Sequence, residues 1–164
     1  MNIFYLDKDP IKAAEMACDK HTVKMILESA QMLSTAHRVL DNITDDRLYK
    51  KTHVNHPSSK WVRESAYHYN WLYKHMIALN EEYKKRYGKK DHLTITKLGK
   101  ILRNPPKNIP LNKIFKDPTP AMPEHCKIKD DVVGSYRKYY ILEKSNIATW
   151  KEPSRKPDWF NYHE

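Results

Sequence analysis

Apolar residues recur at helical spacing through most of the chain, and this pattern predicts an all-α fold. The longest run covers residues 20–40, where apolar side chains follow one another in steps of three and four. A second long helix is predicted from Ser58 or Ser59 to Tyr87, with Gly88 as its C-terminal stop. The apolar set of the first run is Val23, Ile26, Leu27, Ala30, Leu33 and Val39.

Shorter elements complete the predicted fold. Asp9-Pro10 marks a helix start, because Asp is a good N-cap and Pro suits the first helical position, and this helix runs towards Cys18. We expect one helical domain over residues 1–164, with four or five helices, two of them long. The other predicted elements are helices over 94–102 and 130–149, an irregular segment with six prolines over 104–123, and a basic, aromatic tail over 150–164.

The charge of the chain indicates a partner that carries phosphate. Lys and Arg number 30 against 20 Asp and Glu, which gives a formal net charge of +10. Such an excess attracts polyanions and holds them through counterion release. The expected partner is therefore nucleic acid, as DNA, or a free nucleotide. A solubilising charge with no acidic partner is the alternative.

Cysteine usage and hydropathy predict a cytoplasmic protein. Cys18 and Cys126 are far apart and share no metal-like spacing, so they are expected to be reduced thiols. No apolar run approaches the roughly 20 residues of a membrane helix, and the N-terminus does not resemble a signal peptide. No membrane contact is expected, and the protein is predicted to be a monomer or a small homo-oligomer.

The long run over residues 20–40 also carries a stripe of polar side chains that can take part in catalysis. His21, Lys24, Glu28, Gln31 and Thr35 are three or four residues apart and share one side of the predicted helix. A carboxylate flanked by a cation can stay ionised and stabilise a cationic intermediate, or it can move protons. Spacing alone favours the alternative, a solvated helix face with an i,i+4 pair between Lys24 and Glu28.

A family resemblance changes that balance. Asp19-Lys20-His21, followed seven positions after the His by Glu28, resembles the phage pyrimidine-dimer DNA glycosylase (endonuclease V) family, in which an Asp-x-His precedes the catalytic Glu at the same distance. The segments 85–88 and 148–162 resemble the end of that family's long basic helix and its Pro-, Trp- and Tyr-rich tail. The resemblance implies a compact helical DNA N-glycosylase, with abasic-site (AP) lyase activity and with no metal or other cofactor.

The resemblance also implies roles for particular residues. In the family, an N-terminal amine attacks the sugar carbon, forms a Schiff base and then cleaves the strand, while the Glu carries the proton transfers. Carried over, Glu28 is the catalytic carboxylate and the amine belongs to Met1 or Asn2. The stripe residues His21, Lys24 and Gln31, together with Lys20, are then expected beside the substrate. A phage family further implies that the protein acts in an infected bacterial cell.

Two departures from the family pattern keep a second function open. The family's two substrate-gripping arginines are replaced by Leu27 and Gln31, and its exposed Thr is replaced by Asn2. These changes are compatible with a scaffold that has lost catalysis. The alternative is therefore a phage nucleotide-binding protein that sequesters a nucleotide immune signal or blocks a host nucleic-acid enzyme.

The loop before the second long helix holds further candidates. His53 and His56 are three residues apart, but no zinc-protease motif accompanies them, and no metal is expected there. Asn55 and His56 precede a helix N-terminus, where they can present donors to a phosphate. An equally good interpretation is that this loop only sets up the helix cap.

Aromatic and basic residues elsewhere complete the candidate binding set. Trp71 falls off the predicted buried side of its helix and can stack on a base, although most aromatics of this helix belong to the core. Arg137 and Lys138 lie in a basic, aromatic run typical of phosphate-binding faces, or of an ordinary charged surface. Trp150 begins the basic tail.

Overall fold

The computed structural model describes residues 1–161, and over that range the protein is all-α, as predicted. Short turns of 3-10 helix lie at Ile101–Arg103 and Glu124–Cys126. Within residues 1–161, none of the helices has the length and apolarity needed to cross a membrane. Tyr162, part of the predicted tail, lies outside the described residues. The helices are α1 (Pro10–Met16), α2 (Asp19–Asp41), α3 (Pro57–Glu64), α4 (Ala66–Tyr87), α5 (Leu93–Leu98) and α6 (Val132–Glu143).

The first long helix and two of the predicted helix ends are confirmed. The Asp9 carboxylate accepts hydrogen bonds from the backbone N–H groups of Ile11 and Lys12, so it caps α1 as predicted. Gly88 ends α4 in the left-handed conformation, with φ of 60°. Helix α2 has 23 residues and α4 has 22.

The predicted helix from Ser58 or Ser59 to Tyr87 is wrong as a single element, because it is broken at Ser65. Ser65 is extended, with φ of −156° and ψ of 142°, and its hydroxyl accepts a hydrogen bond from the N–H of Tyr67. The same hydroxyl donates to the carbonyl of Lys113 at 2.8 Å. The proline-rich segment therefore stabilises the break, which raises the number of α-helices in the described chain to six.

Other predicted boundaries also shift. His56, rather than Ser58 or Ser59, is the N-cap of α3, since its Nδ1 accepts the N–H of Ser58. The helix predicted over 94–102 ends at Leu98 and continues as a 3-10 turn. The helix predicted over 130–149 ends at Glu143.

The core lies between α2, α4 and the extended N-terminal residues. Ile3, Tyr5 and Leu6 are at most 1% exposed, so the start of the chain is itself a core element. Of the predicted apolar set on α2, the three core residues are Ile26, Ala30 and Leu33, whereas Val23 and Val39 are half-buried and Leu27 is 39% exposed.

A buried ion network ties α1, α2 and α4 together. The Arg86 guanidinium lies 3.2 Å from a carboxylate oxygen of Asp19 and 3.0 Å from one of Glu82. It also donates to the backbone carbonyls of Ala17 and Glu15, at 2.6 and 3.0 Å. The first residue of α2 is thereby fixed against the last turn of α4.

Asp19 extends this network to the C-terminal region. Its carboxylate accepts hydrogen bonds from the hydroxyl of Thr149 and the backbone N–H of Lys151, each at 2.9 Å. The backbone N–H of Asp19 in turn donates to the carbonyl of Thr149 at 2.8 Å. Residues 130 positions apart in sequence thus meet at the N-terminus of α2.

Candidate active site

The α-amine of Met1 lies beside the carboxylate of Glu28. Its nitrogen is 3.4 Å from Oε1 of Glu28, and Nζ of Lys24 is 3.8 Å from Oε2. The side chains of Met1 and Glu28 are only 2% and 12% exposed, whereas that of Lys24 is 71% exposed. The carboxylate therefore stands between the N-terminal amine and a cation at the surface.

The side chain of Asn2 fixes the backbone of the first four residues and thereby the position of the Met1 amine. Its side-chain amide donates to the carbonyl of Ala121 at 2.8 Å, and its Oδ1 accepts from the N–H groups of Ile3 and Phe4. Phe4 has φ of 55°, a conformation that costs a bulky residue on the order of 1–3 kcal/mol. The structure thus places the Asn2 side chain as a brace for a strained turn, and the Met1 nitrogen beside Glu28.

His21 lies beneath the surface of this region. Its ring is stacked on Phe4, with centroids 4.0 Å apart, and its Nδ1 is 2.7 Å from the Tyr140 hydroxyl. Burial, followed by the positive charges of Lys144 and Lys24, lowers the pKa of His21 to about 3. The imidazole is therefore neutral at physiological pH, and its ring is covered by aromatic neighbours.

His56, at the start of α3, lies near the Met1 amine and the Glu28 carboxylate. Burial lowers the pKa of His56, the positive charge of the Met1 amine lowers it further, and the Glu28 carboxylate raises it. These influences show that the His56 imidazole is within electrostatic reach of both groups. Met1, Lys24 and Glu28, singled out from sequence, are therefore in contact, and His56 is close enough for its pKa to respond to the amine and the carboxylate.

The other candidates on α2 and in the preceding loop lie around this group. Lys20 is exposed at the start of α2, and Gln31 is half-buried one turn beyond Glu28. Asn55 is exposed beside the His56 cap. Leu27, at one of the two positions where the family has an arginine, is exposed next to Glu28.

Several predicted binding residues lie elsewhere and carry structural contacts. Trp71 is 7% exposed, so its ring is not available to stack on a base as expected. Arg137 is half-buried and also pairs with Asp7 at 3.4 Å, while Lys138 is half-buried on α6. The hydrogen-bond acceptors of Trp71, Arg137 and Trp150 are the backbone oxygens of Lys8, Leu6 and Met16, respectively.

In each of the two loop histidines, His53 and His56, one ring nitrogen is engaged in a hydrogen bond within the protein. Nδ1 of His53 is 2.8 Å from the Thr52 hydroxyl, and Nδ1 of His56 accepts the helix-capping hydrogen bond. Among residues 1–161, the donor atoms compact enough to hold a metal ion come from His125, Cys126 and Glu143. In that group, Nε2 of His125 is 2.5 Å from Oε1 of Glu143.

The sequence of residues 1–96 matches the family model described as pyrimidine dimer DNA glycosylase. The chain belongs to this glycosylase family. The matched region spans more than half of the protein and includes Met1, Lys24, Glu28 and His56. Membership indicates a DNA glycosylase-type function, with DNA as the partner. Comparisons with curated proteins and with solved structures gave no match.

Two residues near Phe4 in this glycosylase-family protein lie beyond the matched region: Lys144, which sequence reasoning missed, and Tyr139, which belongs to the basic, aromatic run of Arg137 and Lys138. Tyr139 stacks near Phe4, with ring centroids 6.0 Å apart, and Nζ of Lys144 is 5.0 Å from the Tyr139 ring centroid. More than 100 residues separate them from Glu28, so no local spacing connects them to it. The basic, aromatic pattern of α6 was the one available signal, and it pointed equally to an ordinary surface.

Proposed function

We propose that this protein is a DNA N-glycosylase with AP lyase activity, in which the Met1 amine is the nucleophile and Glu28 moves the protons. The observation that supports this assignment is the 3.4 Å separation between the amine and the Glu28 carboxylate. An α-amine suits the role because such groups titrate at a pKa of about 8, whereas a surface lysine titrates at a pKa of about 10.4.

The proposed chemistry begins with loss of the amine's extra proton to Glu28. The neutral nitrogen attacks C1′ of the deoxyribose, the glycosidic bond breaks, and the base takes the bonding electrons and the proton held by Glu28, which returns Glu28 to the carboxylate. Opening of the sugar ring gives an imine between Met1 and C1′. Glu28 then removes a proton from C2′, the C3′–O bond breaks by β-elimination, and water hydrolyses the imine to release the cleaved strand.

Lysines on α2 are the proposed grip on the DNA backbone. Leu27 and Gln31 cannot make the ionic contacts that arginines make at these positions in the family. Lys20 and Lys24 are exposed on the same helix as Glu28, and Lys24 is held next to the carboxylate at 3.8 Å. We expect them to neutralise phosphates on either side of the reacting nucleotide.

Borohydride trapping tests the proposed chemistry, because reduction converts the imine into a stable protein–DNA adduct. The protein is incubated with duplex DNA that contains an abasic site, and separately with ultraviolet-damaged DNA. We expect an adduct with wild type and at least a tenfold lower yield with Glu28→Gln. The matched control is Glu81→Gln, which removes the carboxylate of a surface ion pair between Glu81 and Lys84 on α4. We expect this variant to give the same adduct yield as wild type.

The identity of the nucleophile is tested by blocking the N-terminus. Selective acetylation of the α-amine, or one extra residue before Met1, should abolish the adduct while leaving the helical circular dichroism spectrum unchanged. Mass analysis of the intact protein establishes which residue carries the amine. Equal trapping by wild type and Glu28→Gln, or trapping that survives acetylation, contradicts the proposal.

A separate feature supports a second candidate function, binding of a free nucleotide without chemistry. A cleft of about 970 Å³ lies between α1, α4 and the C-terminal tail. Its lining includes Lys85, Arg155, Lys156 and Trp159, together with the carboxylates of Glu15, Glu82 and Asp158. Its volume is at the upper end of the range for small-molecule sites. Calorimetric binding of a nucleotide at micromolar affinity, with no adduct on either DNA, would favour this function over the glycosylase.

A further inference from the structure

We propose that His125, Cys126 and Glu143 form a zinc site, in which these three side chains and one water hold Zn²⁺ and link the segment before α6 to the end of that helix. The protein ligands are Nε2 of His125, Sγ of Cys126 and a carboxylate oxygen of Glu143. The inference does not depend on the proposed glycosylase chemistry, because its ligands are separate from Met1 and Glu28.

The three donor atoms lie close enough together to share one ion. All of them lie within 4.8 Å of one another, and Nε2 of His125 is 2.5 Å from Oε1 of Glu143. Donor atoms around a tetrahedral zinc are about 3–4 Å apart, since each metal–ligand bond is about 2.0–2.3 Å long. Zinc binding therefore needs side-chain movements of only about 1 Å, and the ion replaces the proton between His125 and Glu143.

Two regular elements present these ligands. His125 and Cys126 lie in the 3-10 turn Glu124–Cys126, where the N–H of Cys126 donates to the carbonyl of Pro123 at 2.9 Å. Glu143 is the last residue of α6. The two ends of the site are 18 positions apart in sequence, so a bound ion closes a loop that contains most of α6.

The burial of the ligands provides both a shielded thiol and an entry path. Cys126 is fully buried, whereas the side chains of His125 and Glu143 are 59% and 39% exposed. An ion can therefore reach the sulfur from the surface, and a water can complete its coordination. A thiolate, an imidazole and a carboxylate suit Zn²⁺, whereas Ca²⁺ and Mg²⁺ prefer ligands that are all oxygen.

The electrostatics of the group favour a divalent cation. Burial raises the pKa of Cys126, the Glu143 carboxylate raises it further, and the positive charge of Lys138 lowers it. The charge of Glu143 therefore acts directly on the thiol, which stays protonated without a metal. Zinc supplies two positive charges, displaces the thiol proton into solvent and leaves a site with no net charge from the ion, thiolate and carboxylate.

A bound zinc ion would strengthen the support of the N-terminal residues. The carbonyl of Ala121 accepts a hydrogen bond from the Asn2 side chain at 2.8 Å, and the N–H of Ala121 donates to the Tyr136 hydroxyl of α6 at 3.3 Å. The ion links the same segment to the same helix a second time. At free zinc of about 100 times Kd, the ratio of folded to unfolded protein should rise about 100-fold.

The test uses the full chain without an affinity tag, titrated with Zn²⁺ in a calorimeter and with Co²⁺ in an absorption spectrometer. We expect one ion per chain with a Kd of about 1 μM or below, a thiolate-to-cobalt charge-transfer band, and a Tm raised by about 5–10 °C in excess zinc. Cys126→Ser should abolish the band. His125→Gln and Glu143→Gln, which replace exposed side chains, should each raise Kd at least tenfold.

Two control variants separate this site from other thiols and histidines. Cys18→Ser removes the other buried cysteine and should keep the band, and His53→Gln removes an exposed loop histidine and should leave Kd within about twofold of wild type. Circular dichroism checks that each variant is folded. Absence of zinc binding by wild type, unchanged affinity in both His125→Gln and Glu143→Gln, or loss of binding in His53→Gln overturns the proposal.

Discussion

Replacement of Arg86 by Met should destabilise the protein strongly, because Arg86 is the centre of a buried ion network. Its side chain is fully buried and lies within hydrogen-bond distance of the carboxylates of Asp19 and Glu82. It also donates to two backbone carbonyls and to the Ser154 hydroxyl, which is 3.0 Å from its Nε. Methionine fills a similar space along the aliphatic stem but supplies none of these donors.

The expected loss of stability in Arg86→Met depends on the hydrogen bonds that the carboxylates of Asp19 and Glu82 keep. Removing one partner of a buried ion pair costs about 3–5 kcal/mol, since the other charge is left uncompensated. Asp19 keeps two hydrogen bonds from Thr149 and Lys151, and Glu82 keeps one from Ser154 at 2.6 Å. We therefore expect a loss near the lower limit, about 3 kcal/mol in the free energy of unfolding, and a decrease in Tm of about 6–12 °C.

Urea unfolding followed by circular dichroism measures this loss, with Lys85→Met as the control. Lys85 is the neighbouring residue, is exposed and lies 3.6 Å from the same Glu82, so its replacement should change stability by less than about 0.5 kcal/mol. Adding Glu82→Leu to Arg86→Met should destabilise less than the sum of the single changes, because it removes an orphaned charge. A loss below about 1 kcal/mol for Arg86→Met would refute this reasoning.

Three further predictions concern pH, a helix cap and salt. The pKa values of His21 and His75 are lowered to about 3 and 4 by burial, so below about pH 6.5 the unfolded chain binds protons that the folded chain does not. The free energy of unfolding should fall by up to about 1.4 kcal/mol per pH unit for each of these two histidines between pH 6 and 4, and His75→Gln should remove the contribution of His75 and make the slope shallower. Ser65→Ala should lower stability by about 1 kcal/mol in urea unfolding, through loss of the α4 cap, while Ser145→Ala, at a half-buried position just past α6, should not. DNA affinity should fall about 10³-fold between 50 and 200 mM salt if six phosphates are neutralised, whereas a flat response in fluorescence anisotropy would exclude an extended DNA interface.

Local signals in the sequence were sufficient for most of the helices. The Asp9 cap and the Gly88 stop lie within a few residues of the backbone groups that they satisfy, so both could be predicted. The break at Ser65 could not, because it depends on a hydrogen bond to Lys113, a partner 48 residues away. The core position of Trp71 likewise depends on residues outside its own helix, notably the carbonyl of Lys8.

The site shows the same division between local and distant information. Glu28 and Lys24 could be identified because they are one turn apart on α2 and follow the family's spacing. Nothing in a linear pattern indicates that Tyr139 and Lys144 lie beside His21, since they approach it through the ring of Phe4. The family match ends at residue 96 and therefore does not reveal them either.

The contacts of Asp19 with Thr149 and Lys151 determine how late in synthesis the N-terminal helices can complete their folding. The α2 helix and its Glu28 are synthesised early, but the residues that fix the N-terminus of α2 appear 130 positions later. Contacts of such long range slow folding, and until they form the apolar surface of the early helices is exposed. Until residues 149–151 are synthesised, the N-terminus of α2 lacks these partners, and the apolar side of this helix is a surface on which a chaperone can act.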